Sequence, residues 1–277
     1  MAISILTNLP ALNATNNLDT VTDAYNKSLQ RLSTGQRITS VSDDPSGAAR
    51  VSGLTVQVSA IGQAKQNVQN ANSIINVAEG GLNEVNNLLV RLRELSVAAA
   101  SEEIAPGERD SIALEGNSIL SEIDRLAQAT KFFGHPLLNG EGKPMEFQVG
   151  PNNSEFDRVT FTGGMNATTS GLGVSSLNLY SPDDALGSMD DIDQALQKVR
   201  GMRSQTGAFS ARLNSIENSL NASGEGVMHA LSLTRDTDYA KESTQSLALD
   251  VRRRSLIAVL SHANLDGQAA LKLLGGS

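Results

Sequence analysis

Cysteine and tryptophan are missing from this chain, and six phenylalanines and three tyrosines bring its aromatic content to only 3%. Without cysteine there is no thiol chemistry, no disulfide and no thiolate metal site, although the compartment stays open. Large enzyme cores draw much of their buried area from aromatic side chains, so a thin core of Leu, Ile, Val and Ala fits helical rods better. Basic residues are also scarce. Twenty-two Lys and Arg against thirty Asp and Glu leave a net charge of −8, which argues against nucleic acid as the main partner. No apolar run is long enough to span a membrane, and Met1–Pro10 lacks the basic start and apolar stretch of a secretory signal, so no cleaved signal is expected. The histidines, His135, His229 and His262, lie far apart with no matching carboxylate spacing. No His-Glu-x-x-His, Gly-x-Ser-x-Gly or Gly-Lys-Ser/Thr pattern occurs. No catalytic, cofactor-binding or metal-binding residue is expected, and no cofactor.

What the chain does have is apolar periodicity, strongest from Leu54 to Ala99. Leu54, Ile61, Val68, Ile75, Leu82 and Leu89 recur every seventh residue. Ala71, Ile74, Ala78, Gly81, Val85, Leu88, Leu92, Leu95 and Ala99 follow the alternating three-and-four spacing of a coiled-coil seam. The two stripes lie about 60 to 100° apart on a helix, so its apolar face is wide enough for more than one partner. At 1.5 Å per residue the segment would reach roughly 70 Å, which predicts a rod element.

Further helices are predicted on both sides of it. Leu18, Val21, Tyr25, Leu29 and Leu32 step by three or four residues, and Gly35 follows as a C-cap. The other face of that helix is Asn, Thr, Ser and Gln, so its stability should come from packing rather than ion pairs. Asp44 and Pro45 read as the N-cap and first position of the long helix. Asp43 and Asp44 also resemble an acid–base or metal pair, but capping explains them without a missing third ligand. After Pro106-Gly107 a helix from about Glu108 to Thr130, with Ile112, Ile119, Ile123 and Leu126 on one side, should return antiparallel. Helical spacing resumes after Pro182 through Ile192, Leu196, Val199, Met202, Phe209, Leu213, Ile216 and Leu220. Asp183, Asp184, Asp190, Asp191 and Asp193 lack the ligand alternation of a calcium loop and suit a helix N-terminus. A last helix carries Leu249, Leu256, Leu260, Ala263, Gly267, Ala270 and Leu274. Arg252, Arg253 and Arg254 fan around that helix and make a solvated or lumen-facing patch rather than one basic surface.

The texture changes from Lys131 to Pro182. Five of the six phenylalanines fall between Phe132 and Phe161, which predicts a local aromatic core. Met145, Phe147 and Val149 alternate, as do Val159 and Phe161, with Pro151-Asn152-Asn153 as turn residues between. The Gly, Thr and Ser run from Gly163 to Ser176 reads as exposed loop, and Gly171-Leu172-Gly173 is too little for a phosphate loop. The fold class is therefore mainly α: a long antiparallel coiled-coil or helical rod with a small antiparallel β subdomain in its central segment.

Several stretches resemble bacterial flagellin. RLSTGQRITSVSDDPSGAA (31–49), ANSIINVAEGGLNEVNNLLVRLRELSV (71–97) and SEIDRLAQATKFFGHPLLNG (121–140) are similar to its amino-terminal half. LNSIENSLN (213–221) and LTRDTDYAKESTQSLA (233–248) are similar to its carboxy-terminal half. The resemblance implies a filament subunit for swimming motility, extracellular, not an enzyme, and exported through the hollow flagellum. It divides the chain into an inner-domain helix (1–42), rod helices (43–130), β subdomain and loops (131–182), a second rod segment (183–232) and an inner-domain helix (233–277). It places self-assembly on Leu18, Val21, Tyr25, Leu29, Leu32, Leu256, Leu260, Ala263 and Leu274. The partners it implies are other copies of the chain, an export chaperone at the last helix, the junction and cap proteins, and no nucleic acid or membrane. A host Toll-like receptor would meet Arg91, Leu95 and Glu115, although Leu95 also belongs to the heptad stripe. Arg252–Arg254 and the end Leu273-Leu274-Gly275-Gly276-Ser277 depart from the family pattern. The hook–filament junction protein shares the terminal scheme and is the alternative. Thr234–Ala240 and Leu137-Leu138-Asn139-Gly140 favour flagellin.

Overall fold

The computed structural model describes residues 8–161 and 164–274, with side chains described as far as Leu265. It forms two compact units, one from the segments up to Val56 and from Gly226 onward, the other from Gln57–Glu225.

In the first unit, helix α1 (Leu9–Thr34) and helix α6 (Tyr239–Leu274) pack antiparallel. Asn8 starts α1: its side chain accepts from the Ala11 N–H at 3.1 Å, and Pro10 sits in the first turn where no N–H is needed. Gly35 ends it with φ +70°, a conformation that favours glycine, and returns its N–H to the Arg31 carbonyl at 2.8 Å. The antiparallel sense shows at both ends. Asn8 Nδ2 donates to the Ala263 carbonyl at 2.9 Å, and the Tyr239 hydroxyl donates to the Leu32 carbonyl. Residues after Gly35 pair with those after Arg235: Arg37 N–H to the Arg235 carbonyl at 2.7 Å and Thr237 N–H to the Gly35 carbonyl at 2.9 Å. Asp44 caps helix α2 (Pro45–Ala99) by accepting from the Gly47 N–H at 2.8 Å.

In the second unit, α2 from Gln57 meets two antiparallel helices, α3 (Pro106–Ala129) and α5 (Pro182–Arg235) as far as Glu225. Arg91 faces Glu115 of α3, while Arg93 and Glu79 face Asp193 and Arg203 of α5. Both heptad stripes are used. Ile61, Val68, Ile75, Leu82 and Leu89 are buried, as are Ala71, Ile74, Ala78, Val85, Leu92, Leu95 and Ala99. Gly81 and Leu88 are only partly covered. The turn after α2 is held by buried Arg109, which donates from Nε to the Ala99 carbonyl and from Nη2 to the Ser101 carbonyl, both at 2.9 Å.

Among the described residues, four short strands form two hairpins: β1 (Lys131–Phe132) with β2 (His135–Pro136), and β3 (Met145–Gln148) with β4 (Arg158–Phe161). Met145 faces Phe161 and Phe147 faces Val159, as the alternation requires. The aromatic expectation needs correction. Phe133 and Phe156 are 92% and 97% exposed, and the cluster forms instead from Phe147 and Phe161 against Phe209 of α5, at 6.5 and 5.0 Å. The expected loop through Ser176 is corrected as well. It contains helix α4 (Thr169–Leu172) and buries Met165, Ala167, Leu172 and Val174. Asp124 of α3 makes this possible by accepting from the Thr169 N–H and hydroxyl, both at 2.8 Å, and Lys198 Nζ donates to the Leu172 carbonyl at 2.7 Å. Such long-range partners leave no mark in local composition.

Candidate assembly surface

The terminal helix pair begins from a sparse interface. Ala14 and Ser28 of α1 are buried, while Leu18, Val21, Tyr25 and Leu32 are half-buried along the same face. Leu29 is exposed, because it lies to one side of that face. On α6, Leu249 is buried and Leu256, Leu260 and Ala263 are half-buried. Leu274, Gly267 and Ala270 lie outside the residues whose side chains are described. Apart from Leu29, the described periodic residues thus line the face between the two helices, and all but Leu249 are incompletely covered.

A second stripe on α6 escaped the sequence reading. Leu247, Val251 and Leu265 are 69%, 63% and 54% exposed, and Ala258 between them is exposed too. Val251, Ala258 and Leu265 are seven apart, displaced by two residues from Leu249, Leu256 and Ala263. Two residues turn a helix by about 200°, so this stripe points away from α1. The repeat was visible in the sequence but interrupted by Arg252–Arg254. On a helix already paired on its other side, this stripe is an exposed apolar face. The arginines do not cancel it. Asp250 accepts from Arg253 at 2.8 Å and Arg254 at 2.7 Å, and the Arg253 guanidinium lies 4.7 Å above the Tyr25 ring of α1.

The acidic pair next to α2 serves the fold. Asp43 binds Lys27 Nζ at 2.7 Å and accepts from the Thr39 hydroxyl and the Ser40 N–H. Lys27 first, with help from Thr39 and Ser40, holds its carboxyl at about 2, well below the ordinary range. Among the described residues no group of three potential metal ligands converges.

The three residues singled out on α2 and α3 do not share a face. Arg91 pairs with Glu115 at 2.8 Å and with Glu94 at 3.1 Å. Glu115, then Glu94, raises the guanidinium above its already high ordinary value, so it stays charged at any accessible pH. Leu95 is 5% exposed and belongs to the core, which corrects its place in a contact surface.

A family model described as the bacterial flagellin N-terminal helical region matches residues 5–143, and one described as the C-terminal helical region matches residues 189–274. The chain is similar to the flagellar filament 30.7 kDa core protein of Treponema maltophilum, 31% identical over 280 residues, covering 96% of this chain and 98% of that one. It is similar to a flagellin of Halalkalibacterium halodurans, also 31% identical, with 96% and 98% covered. Among solved structures it resembles Bacillus cereus flagellin, with a TM-score of 0.51, 27% identity, and 56% of this chain and 88% of that one covered.

Proposed function

From the premise that this chain belongs to the bacterial flagellin family, and so is a structural subunit of the extracellular flagellar filament, we propose that its terminal helix pair is the surface through which copies assemble. The observation that carries this is the outward stripe Leu247, Val251, Ala258 and Leu265, opposite the face that meets α1. A neighbouring copy would cover it as the filament grows, and polymerisation serves motility. The same exposed stripe gives an export chaperone a helix to hold before the subunit passes along the channel. Junction and cap proteins meet the filament at its two ends. No helix of the described residues is long and apolar enough to cross a membrane.

Electron microscopy of the purified protein under polymerising conditions tests the main reading. Helical filaments are expected from the wild type and none from Leu247→Ser/Val251→Ser. Filaments of wild-type yield from that variant would refute it. Abundance separates the hook–filament junction alternative, because a filament subunit dominates sheared flagella and a junction protein is a trace component.

The flagellin resemblance also supports recognition of the monomer by a host Toll-like receptor, through Arg91 and Glu115 without the Leu95 side chain. A hot-spot arginine contributes about 2 kcal/mol or more, so Arg91→Ala should weaken receptor binding roughly thirty-fold. Equal binding by Arg91→Ala, or no binding of wild-type monomer at micromolar concentration, would remove the receptor from the list of partners.

A further inference from the structure

We propose that Phe133, at the tip of the β1–β2 hairpin, is a knob that enters the groove between β3–β4 and α5 of a neighbouring copy and joins the two side by side. This rests on the chain being a filament subunit and not on the α6 stripe.

Phe133 stands against its own local chemistry. Phe132 pairs with His135, so Phe133 and Gly134 alone make the turn, and both have positive φ, +47° and +83°. Two-residue turns of that kind favour Asn-Gly, Asp-Gly or Gly-Gly, because a bulky side chain is strained in the left-handed region. Among the described residues Phe133 is the only non-glycine with positive φ. Burial gives nothing back, since the residue is 92% exposed. The ring of Phe132, itself half-buried, braces it edge-on at 4.8 Å. Asn would suit both the turn and the solvent. A side chain that one copy disfavours twice has its counterpart outside that copy.

The groove matches the knob in size and chemistry. Its volume of about 460 Å³ lies within the usual range of binding pockets. Ile61 of α2, Val149 and Val159 of the β3–β4 segment, and Ile216 and Leu220 of α5 line it. Phe156, 97% exposed, stands at its lip, so an entering ring meets an aromatic neighbour as well as an apolar floor. The rims differ in charge. Lys131 is exposed at the root of the knob, whereas Glu155, next to Phe156, and Asp157 outweigh Arg212 around the groove.

Within one copy the two cannot meet. The hairpin lies at the level of Gly81 of α2, which approaches Thr130 and Leu138 on either side of it. The groove lies at the level of Gln57 and Ile61. The 20 residues from Ile61 to Gly81 span about 30 Å of helix, so the knob of one copy reaches only the groove of another. A patch that meets a different patch on the next copy is heterologous, and repeated heterologous contacts build an open helical polymer. Parallel copies joined in this way are staggered by about 30 Å along their rods.

The absence of cysteine makes the test clean, because introduced pairs meet no background thiol. His135→Cys with Ser219→Cys puts one thiol beside the knob and one on the groove wall, both at exposed positions, and keeps Phe133. Filaments of this variant, treated with a short bismaleimide, should give a ladder of dimers, trimers and longer species on denaturing gels. Dilute monomer should give none, and neither single-cysteine variant should pass beyond dimers. Phe133→Asn should raise the melting temperature of the monomer and yet raise the critical concentration for polymerisation about tenfold. Ser219→Trp, which obstructs the groove from an exposed position, should raise the critical concentration without lowering the melting temperature. A role confined to the turn would let Phe133→Asn raise stability and leave polymerisation untouched. A wild-type critical concentration in either variant overturns the proposal. So does the lack of a ladder in filaments of wild-type yield, even if Phe133→Asn polymerises poorly, because the knob then meets some other partner. Should the two-cysteine variant fail to polymerise, the two critical concentrations decide. Filaments of wild-type yield from Leu247→Ser/Val251→Ser would remove the α6 surface and leave this contact to the ladder.

Discussion

The carboxylate of Asp43 takes three donors: Lys27 Nζ at 2.7 Å, the Thr39 hydroxyl at 3.0 Å and the Ser40 N–H at 3.2 Å. These hold its acidity at about 2, below the ordinary 3.8. A folded value below the unfolded one means that the fold prefers the ionised form. The stabilisation is complete above about pH 4 and is lost as the pH falls towards 2. Amide exchange at Ser40 should therefore accelerate over that window in the wild type, whereas Asp43→Asn should exchange fast already at neutral pH. Unchanged Ser40 protection in Asp43→Asn would show that the turn does not depend on this charge. The core gives a second residue-scale test. Leu89 and Leu92 are fully buried while Leu88 is only partly covered. Leu89→Ala and Leu92→Ala should each cost roughly 2 to 5 kcal/mol in urea unfolding of the monomer, and Leu88→Ala clearly less. Equal costs at all three would mean that the helix is rotated from the orientation described.

Between elements, close approach is set by glycine where α2 meets the segment after α3. A Cβ at Gly81 would stand 2.7 Å from Leu138 Cδ1 and 2.8 Å from Thr130 Oγ1, whereas one at Gly80 meets nothing within 4 Å. Adjacent substitutions should therefore act in opposite directions. Gly81→Val should destabilise by roughly 1 to 3 kcal/mol through overpacking. Gly80→Ala should stabilise by roughly 0.5 to 1 kcal/mol, because an exposed helical glycine costs backbone entropy. Urea midpoints would show this, and the same sign at both sites would contradict the packing. Helix ends follow the same division between local and distant causes. Gly35 closes α1 by its own left-handed backbone, whereas α4 combines a local cap, the Thr168 hydroxyl accepting from the Gly171 N–H, with a distant one, Asp124, 45 residues earlier in the chain, accepting from Thr169.

Taken as a whole, the molecule divides its burial unevenly. Among the described residues, the Gln57–Glu225 unit contains most of the fully covered large side chains, while the terminal pair covers little beyond Ala14, Ser28, Glu242, Ser246 and Leu249. So little covered apolar area offsets little of the ordering entropy of two helices, and local opening should be frequent. In the monomer, amides in 9–34 and 239–265 should exchange far faster than those in 61–99 or 106–129, and become protected on polymerisation. Strong protection of the terminal helices before assembly would refute this. Removing either terminal helix should abolish filaments yet leave the cooperative melting of the larger unit.

The sequence alone determined the long helices, their approximate ends and the Met145–Phe161 hairpin, because those depend on spacing of three, four or two residues and on local caps such as Asp44 and Gly35. It also carried the family, since the motifs at both ends are contiguous. Tertiary structure decided what depends on distant partners. It put Phe209 beside Phe147 and Phe161 and left Phe133 and Phe156 in solvent. It separated Leu95 from Arg91 and Glu115, because an apolar residue on a charged helix can still face inward. It also showed which of the two apolar stripes on α6 meets α1 and which stays open. Periodicity marks that a face is apolar; only the position of the neighbouring helix decides whether that face is already covered.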